Sequence, residues 1–460
     1  MSTPARVAVV GLGRVGLPLA LSFADRGLEV VGVDREQAVL DAVAAGTMPF
    51  HETGTQELLE RVRASGRLEC TLELEDAASA DQIVLTLGTP AFSHVEIDIS
   101  DIRGVLDDLL PMLRAEQSLI LRSTVAPGTT NWVAGYLEQR RGFSVGDDLF
   151  VSHVPERIAE NHFLEEIATL PCLVGGVGEG SGVKAAELFQ CFATEIVQTT
   201  PVQAELAKIW TNILRYTNFA LPNLLMMNCE QYGANVFEVI DLINHDYPRG
   251  GIAAPGLTAG TCLRKDFAFS EERSSAPGML LAVSRVHETM PLFLVEGLKR
   301  RLGGSLDGRK VAVLGLSFKR DSDDTRDSLA FKLIRLLERE LAHVARHDPH
   351  LPSESEPLDS ALADADAVVI ATNHSAFDGL LGDLPAAALV VDPWNVAGSG
   401  QVFAYPDEHL AAPVSHDTAP VPRDTAPVPR DAAPVPRDAA PVPPDATPIP
   451  PDAARMAGDI

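Results

Sequence analysis

Residues 6–34 read RVAVVGLGRVGLPLALSFADRGLEVVGVD, and the architecture of the chain follows from how this stretch is read. Arg6 to Val10 is a short β-branched run, Leu17 to Arg26 carries a helical pattern, and Glu29 to Val33 is a second apolar run ending in Asp34. Between strand and helix stand Gly11, Leu12, Gly13, Arg14, Val15 and Gly16. Gly11 permits a tight turn, Gly13 lets the backbone approach a pyrophosphate, and Gly16 allows helix and strand to pack closely. The helix N-terminus then faces the phosphates. Asp34, at the end of the second strand, suits both hydroxyls of an adenosine ribose and repels a 2′-phosphate. The turn is therefore read as a cofactor site for NAD rather than NADP.

At 460 residues the chain is too long for one core, so two or three domains are expected. Hydrophobic content of 46% and a charged fraction of 22% describe an ordinary globular protein. A formal net charge of −27 argues against a nucleic-acid or anionic-membrane partner, each of which needs a basic face. Cys70, Cys172, Cys191, Cys229 and Cys262 are odd in number and scattered, with no C-x-x-C pair, so neither a disulfide framework nor a metal site is expected. No signal segment opens the chain and no apolar run spans a bilayer, so the expected location is cytoplasmic.

Further strand ends continue the pattern. Gln82 to Leu87 runs into Thr89, Ser118 to Leu121 runs into Arg122-Ser123-Thr124, and Leu149 to Val154 runs into Pro155-Glu156-Arg157-Ile158-Ala159-Glu160. Loops at the carboxyl ends of parallel strands are where doubly wound sheets bind ligands. Thr89 and Thr124 are thus placed to face the cofactor, although isolated threonines there also serve as turn or cap residues. Glu156, Arg157 and Glu160 have the chemistry to orient a water and hold a substrate, or simply to open a solvated helix.

Ala204 to about Glu230 reads as one long helix with a kink at Pro222. Glu205, Lys208 and Asn212 share one face of it, either reaching into a cleft or forming a solvated stripe. Beyond Arg249 a Gly/Pro-rich loop leads to Gly260-Thr261-Cys262-Leu263-Arg264-Lys265-Asp266. A thiol between a glycine turn and a lysine becomes a nucleophile when backbone N–H groups and positive charge favour the thiolate. Its alternative is a small buried hydrophobe. Gly308 to Leu314 starts another strand–turn unit, but Gly315-Leu316-Ser317-Phe318-Lys319 lacks the remaining dinucleotide glycines. Strands at Ala342 to Arg346, leading to Asp348, and Ala367 to Ala371 complete that unit. From His416 to Pro443 a seven-residue Arg-Asp-Thr/Ala-Ala-Pro-Val-Pro repeat excludes helix and central strand and is expected to be an extended, disordered tail.

The blocks GLGRVGLPLA, STVAPGTT, PERIAE, AELAKIWTN and GTCLRKD, followed by Gly315–Lys319 and Asp324–Ser328, resemble the nucleotide-sugar 6-dehydrogenases in both content and order. These are the UDP-glucose, UDP-N-acetylmannosamine and GDP-mannose dehydrogenases, and the resemblance covers about residues 5–405. It implies an α/β protein with two Rossmann-like doubly wound domains joined by a long helix and a helical dimerisation region. The NAD-binding domain would span 1–200, the central domain 201–302 and the UDP-binding domain 303–406, with the Pro-rich tail over 407–460.

The family oxidises a sugar C6 alcohol to a carboxylate in two hydride transfers to NAD. By resemblance Cys262 forms the thiohemiacetal and thioester, while Lys208 and Asn212 stabilise the alkoxide and oxyanion. Asp266 and Thr124 order water, Glu156 is the general base, and Glu160 touches cofactor and sugar. Lys265 and Arg326 would contact NAD. Phe318 and Lys319 would hold a uracil and diphosphate, with Gly260 lining the substrate. Arg249 would reach the substrate from a neighbouring subunit, implying a homodimer. The chain departs from the family at Gly260-Thr261, at His287 and at Arg320. PER-x-x-E with Leu170-Pro171 and Val174-Gly175-Gly176 resembles the 2-acetamido-sugar branch, pointing to UDP-N-acetylmannosamine or UDP-N-acetylglucosamine. UDP-glucose, an unusual nucleotide-linked substrate, or an inactive nucleotide-binding scaffold are the alternatives.

Overall fold

The structure is a computed structural model that describes residues 6–89, 99–248, 251–258, 260, 263–266 and 278–406. The expectations for Arg249, Cys262 and the Pro-rich tail fall outside the described residues. The glycine-rich stretch forms β1 (Arg6–Val10), α1 (Gly16–Asp25) and β2 (Glu29–Val33). Helices α2 (Gln37–Ala45) and α3 (Thr55–Ser65) lead to β3 (Leu68–Thr71), β4 (Gln82–Leu85), α4 (Ser100–Leu109) and β5 (Ser118–Leu121). Next come α5 (Thr129–Arg141), β6 (Phe150–His153), α6 (Phe163–Thr169), β7 (Cys172–Gly176), α7 (Gly178–Phe189) and β8 (Ile196–Thr199). These strands make an eight-stranded sheet in the order β3-β2-β1-β4-β5-β6-β7-β8.

Every pairing in that sheet is parallel except β6 with β7. Parallel strands covered on both faces read as continuous apolar runs, and Val7 to Val10 and Ile83 to Leu85 are buried throughout. Helix α1 is buried along almost its whole length because the sheet and other helices enclose it. The order reverses between β1 and β4, which opens a crevice at the carboxyl ends of those strands.

Helix α8 (Pro201–Tyr232) runs for 32 residues, about 48 Å at 1.5 Å per residue. Its start is fixed by a capping box between Thr200 and Gln203 with Pro201 at the first turn, and Gly233 in the left-handed region ends it. Helices α9 (Val236–Asn244) and α10 (Met279–Arg301) follow. A second sheet is built from β9 (Lys310–Leu314), α11 (Leu329–Arg339), β10 (His343–His347), α12 (Leu358–Leu362), β11 (Ala367–Ile370), β12 (Leu389–Val391) and β13 (Phe403–Ala404). Its order is β10-β9-β11-β12-β13, parallel apart from the last pair. Met226, Ile240, Met290, Leu294 and Leu298 of the helical middle share one core with Val311, Val313 and Val369 of this sheet. Among the described residues no helix is long and apolar enough to cross a membrane.

Candidate active site

The first turn has the shape a dinucleotide requires. Gly11 has φ +96 and donates its N–H to the Val33 carbonyl at 2.7 Å. A Cβ on Gly16 would lie 1.8 Å from the Gly11 oxygen and 2.5 Å from Thr86 Oγ1, whereas nothing lies within 4 Å of one on Gly13. Gly16 therefore serves packing and Gly13 leaves open the approach that a pyrophosphate takes. The half-buried Asp34 carboxylate accepts the N–H groups of Leu12 at 2.6 Å and Glu36 at 2.9 Å, so the acid and the turn are fixed to each other. These features fit NAD, which Asp34 would hold through the ribose.

The loops after β4 and β5 are joined to the segment just beyond the cysteine. Thr89 Oγ1 donates to the Thr124 carbonyl at 2.7 Å, and Lys265 Nζ donates to the Thr89 carbonyl at 2.9 Å and to its hydroxyl at 2.8 Å. On the next helical position Asp266 is fully buried and accepts from Asn212 Nδ2 at 2.5 Å. Lys208 and Asn212 are buried one turn apart on the same face of α8. Burial pushes the Asp266 carboxyl upward, against the opposing pull of Lys208, Lys265 and the Asn212 hydrogen bond. Its Oδ1 is buried with no hydrogen-bond partner among the described residues. A buried carboxylate oxygen beside an ammonium is a seat for a polar ligand or a water.

A second group lies where the two sheets meet. Arg14 reaches out of the glycine turn to Glu160 at 2.8 Å, to Asp323 at 2.7 Å and to Asp324 at 3.5 Å. Lys319 donates to the Glu160 carbonyl, Ser322 to its carboxylate at 3.0 Å, and Asn161 to the Asp321 carbonyl at 2.7 Å. Burial raises the Glu160 carboxyl and outweighs the Arg14 charge beside it. Arg326 grips Asp324 through Nε at 2.9 and 3.0 Å. Phe318 lies against Gly260, whose φ is +106 and whose missing Cβ would fall 2.7 Å from the phenyl ring.

The remaining residues named from the sequence stand elsewhere. Glu156 accepts from Arg122 at 2.5 Å and from the Ile158 N–H at 2.7 Å, so both of its oxygens are engaged. Arg157 donates to the Pro171 carbonyl at 3.5 Å. Glu205 shares the Lys208 face but is used as a cap: it accepts from Gly128 N at 2.6 Å, Thr130 N at 2.8 Å and Thr130 Oγ1 at 2.6 Å at the start of α5. His287 is buried between α8 and α10, stacked on Tyr216 at 4.2 Å and bonded to the Tyr216 carbonyl at 2.9 Å, with burial holding its pKa down to about 4. Arg320 pairs with Asp378 at 2.7 Å on the surface of the second domain.

Sequence reasoning missed Arg122, Asp323, Asn223 and His153. Arg122 stands at a strand end, a position that already marks ligand loops. Asn223 is fully buried and holds both sides of Gly256, accepting its N–H at 2.8 Å and donating to its carbonyl at 3.0 Å. His153 is fully buried and kept neutral, its pKa lowered to about 3 by burial and by the charges of Arg122 and Lys208. No spacing rule would single out any of the last three.

A switch-point crevice in a doubly wound sheet, a glycine turn with its ribose acid and a second nucleotide-type sheet define a dinucleotide-dependent dehydrogenase with a separate domain for a nucleotide substrate. Comparison with known proteins agrees along most of the chain. The models of the UDP-glucose/GDP-mannose dehydrogenase family match at residues 5–193 (NAD binding domain), 202–288 (central domain) and 312–399 (UDP binding domain). The UDP-N-acetyl-D-mannosamine dehydrogenase of Pyrococcus horikoshii is 31% identical over 402 residues, 85% of this chain and 96% of that one. The NDP-N-acetyl-D-galactosaminuronic acid dehydrogenase of Ralstonia solanacearum is 29% identical over 84% of this chain and 95% of its own. Among solved structures, a UDP-glucose dehydrogenase from Pyrobaculum islandicum superposes with a TM-score of 0.77 at 29% identity, covering 86% of this chain and 95% of that one. The chain belongs to the UDP-glucose/GDP-mannose dehydrogenase family and is an NAD-dependent nucleotide-sugar dehydrogenase.

Proposed function

We propose that the chain oxidises the C6 alcohol of UDP-N-acetylmannosamine or UDP-N-acetylglucosamine to the carboxylate through a thioester on Cys262. The observation that carries this reading is the buried group of Lys208, Asn212 and Asp266, with Asp266 four residues beyond the cysteine and one of its oxygens unpartnered among the described residues. NAD, when bound, accepts a hydride at each oxidation. The Lys208 ammonium and the Asn212 amide stabilise negative charge on the sugar oxygen, an electrostatic task that a water-poor site performs well. The Cys262 thiolate adds to the aldehyde carbon, giving a thiohemiacetal whose loss of a second hydride leaves a thioester. Water held by Asp266, with Thr124 close to the same loops, attacks that carbonyl; the C–S bond breaks and the acid departs. A carboxyl raised by burial is suited to taking the water's proton near neutral pH.

Glu156 serves as general base only after Arg122 releases it; in the observed geometry it braces the loop after β6. Glu160, Lys265 and Arg326 attend the cofactor. Arg157, Gly260, Phe318 and Lys319 attend the nucleotide sugar. The P. horikoshii relative, a UDP-N-acetyl-D-mannosamine dehydrogenase, supports the 2-acetamido sugar. A homodimer is proposed across α8, whose outward face shows Leu206, Trp210, Leu214, Leu221 and Leu224 exposed. Such a contiguous apolar stripe marks an association surface, and Arg249 of a second copy would then complete the site.

The test is the yield of NADH per sugar with UDP-N-acetylmannosamine, UDP-N-acetylglucosamine, UDP-glucose and GDP-mannose side by side. Two NADH per sugar on an acetamido substrate, lost in Cys262→Ala, is the expected result. Turnover of UDP-glucose alone would move the protein to that branch, and undiminished turnover in Cys262→Ala would overturn the thioester route. Light scattering of Trp210→Glu tests the dimer.

A further inference from the structure

Arg14 lies between Gly13 and Gly16, the second and third glycines of the cofactor turn, yet its guanidinium points away to the UDP-binding domain. It forms one fork with Asp323 at 2.7 Å and Glu160 at 2.8 Å, while Asp324 lies behind at 3.5 Å. A guanidinium presents its donors in one rigid plane, so it holds the two carboxylates in a fixed geometry. Asp323 is shared further: its other oxygen accepts the His51 N–H at 3.1 Å, so a single acid of the second domain grips two separate loops of the first. Glu160 answers from the first domain, taking Ser322 on its carboxylate and Lys319 on its carbonyl. Asp324 is almost fully buried and the other three side chains are at least two-thirds buried, so this is not a solvated charge stripe.

The position of Arg14 gives the contact its consequence. Its neighbours Val15 and Gly16 open α1, and the N-terminus of that helix is where a dinucleotide pyrophosphate is bound. Whatever fixes Arg14 fixes the phosphate-binding backbone against the UDP-binding domain. From this geometry, and resting on the assignment of NAD and UDP to their two domains, we infer that Arg14 is a positioning residue: through Asp323 it couples the NAD turn to the UDP-binding domain. Its role is to keep the turn in its binding-competent place, so that UDP, by holding the second domain in place, also raises the affinity for NAD. A ligand bound by only a fraction of the molecules shows an affinity reduced by that fraction, and a second ligand that selects the same arrangement restores it.

Asp323 is the position to test because it lies in the other domain from the NAD turn. The full-length protein is titrated with NAD, followed by tryptophan fluorescence or calorimetry, with and without saturating UDP, which has no sugar to oxidise. Asp323→Asn is expected to weaken NAD binding about fivefold, the upper range for a partly exposed ion pair, and UDP is expected to recover most of that loss. Asp323→Glu should restore the affinity, and Arg14→Lys, whose shorter reach and single nitrogen lack the fixed planar fork, should resemble Asp323→Asn. Unfolding midpoints of each variant separate this effect from loss of fold. An unchanged NAD affinity in Asp323→Asn overturns the coupling, as does a loss that UDP leaves untouched. Absence of any NAD or UDP binding to the unaltered protein would instead sink the domain assignments themselves.

Discussion

Gly260→Ala probes how the cysteine loop is held. Gly260 has φ +106, outside the ordinary left-handed well, and a Cβ there would stand 2.7 Å from Phe318 Cδ2 and 2.8 Å from Cε2. Holding a residue with a side chain at such an angle costs on the order of 1–3 kcal/mol before any contact is counted. The Gly260 carbonyl also accepts the Arg264 N–H at 3.2 Å, which starts the short helical turn carrying Lys265 and Asp266. If the alanine variant leaves the observed arrangement to relieve the angle, the competent fraction falls by roughly 5- to 150-fold, since each 1.4 kcal/mol is about a factor of ten. The expected outcome is a fall of at least about fivefold in kcat/KM for the sugar nucleotide, because about 1 kcal/mol or more is lost at the transition state. The glycine turn that would hold the pyrophosphate lies in another domain, but Lys265 rides on the disturbed helical turn and bonds the Thr89 loop, so NAD affinity should fall as well, by less than kcat/KM does. Steady-state kinetics with the sugar nucleotide and a separate NAD titration measure the two quantities. Adding Phe318→Leu removes the ring contact but not the backbone angle, so partial recovery in the double variant would apportion the two causes. Unaltered kcat/KM in Gly260→Ala would show that the loop geometry around Phe318 is not what the reaction uses.

Three other outcomes follow from named contacts. Asp266→Asn should still release its first two NADH per site in a stopped-flow burst, while steady turnover falls about 10²- to 10⁴-fold, the range for a lost general base; unimpaired steady turnover would remove Asp266 from hydrolysis. Glu205→Gln should lower stability by about 1–3 kcal/mol in urea titrations, because an amide cannot accept all three donors at the start of α5 and one is left unpaired; an unchanged midpoint would mean that water replaces the cap. Asp348 is held below the ordinary carboxylate value of 3.8: burial alone would raise it, but His374 and the N–H groups of Leu316 and His350 outweigh that. Its folded pKa being depressed, the stability it contributes is complete above about pH 4 and is lost as the pH falls through the folded value. Asp348→Asn should flatten this acid limb of the melting temperature, and an acid limb identical to that of the unaltered protein would contradict the assignment.

The two nucleotide-type sheets and the long helix were legible because their signals are local. Glycines at fixed spacing, apolar runs of strand length and a helical period from Ala204 to about Glu230 each state their own structure, although the helix begins three residues earlier, at Pro201. The antiparallel entry of β7 beside β6 was not legible, because nothing in Cys172–Gly176 records the direction of its neighbour. Side-chain assignments were readable only as far as a face. Glu205, Lys208 and Asn212 share one side of α8, but spacing cannot say that the first meets the start of α5 while the third meets Asp266. Arg14 sits inside the cofactor motif, yet its guanidinium answers acids more than three hundred residues later in the chain. His287, which in sequence stood out as a departure near the substrate, proves to be a buried hydrogen-bonding and stacking residue between α8 and α10. Such long-range pairings depend on the folded arrangement, which no short window contains.

The two sheets share one device and differ in what surrounds it. In the first, Asp34 after β2 accepts the Leu12 N–H; in the second, Asp348 after β10 accepts those of Leu316 and Ser317 at 2.6 and 3.1 Å. Each time an acid at a strand end ties down the glycine turn of the neighbouring strand. Asp34 stays partly exposed, where ribose hydroxyls would reach it, whereas Asp348 is almost completely buried and faces the buried His374 at 3.0 Å. The helix after the first turn begins at once, at Gly16, so its N-terminus is available to a pyrophosphate. After the second turn the helix begins only at Leu329, and the intervening chain carries Lys319, Asp323 and Asp324 toward the first domain. The second unit therefore departs from the dinucleotide pose in two physical respects, a buried acid and a displaced helix. The displaced segment is the one that reaches Arg14, so the change that removes a second dinucleotide site also supplies the contact between the domains.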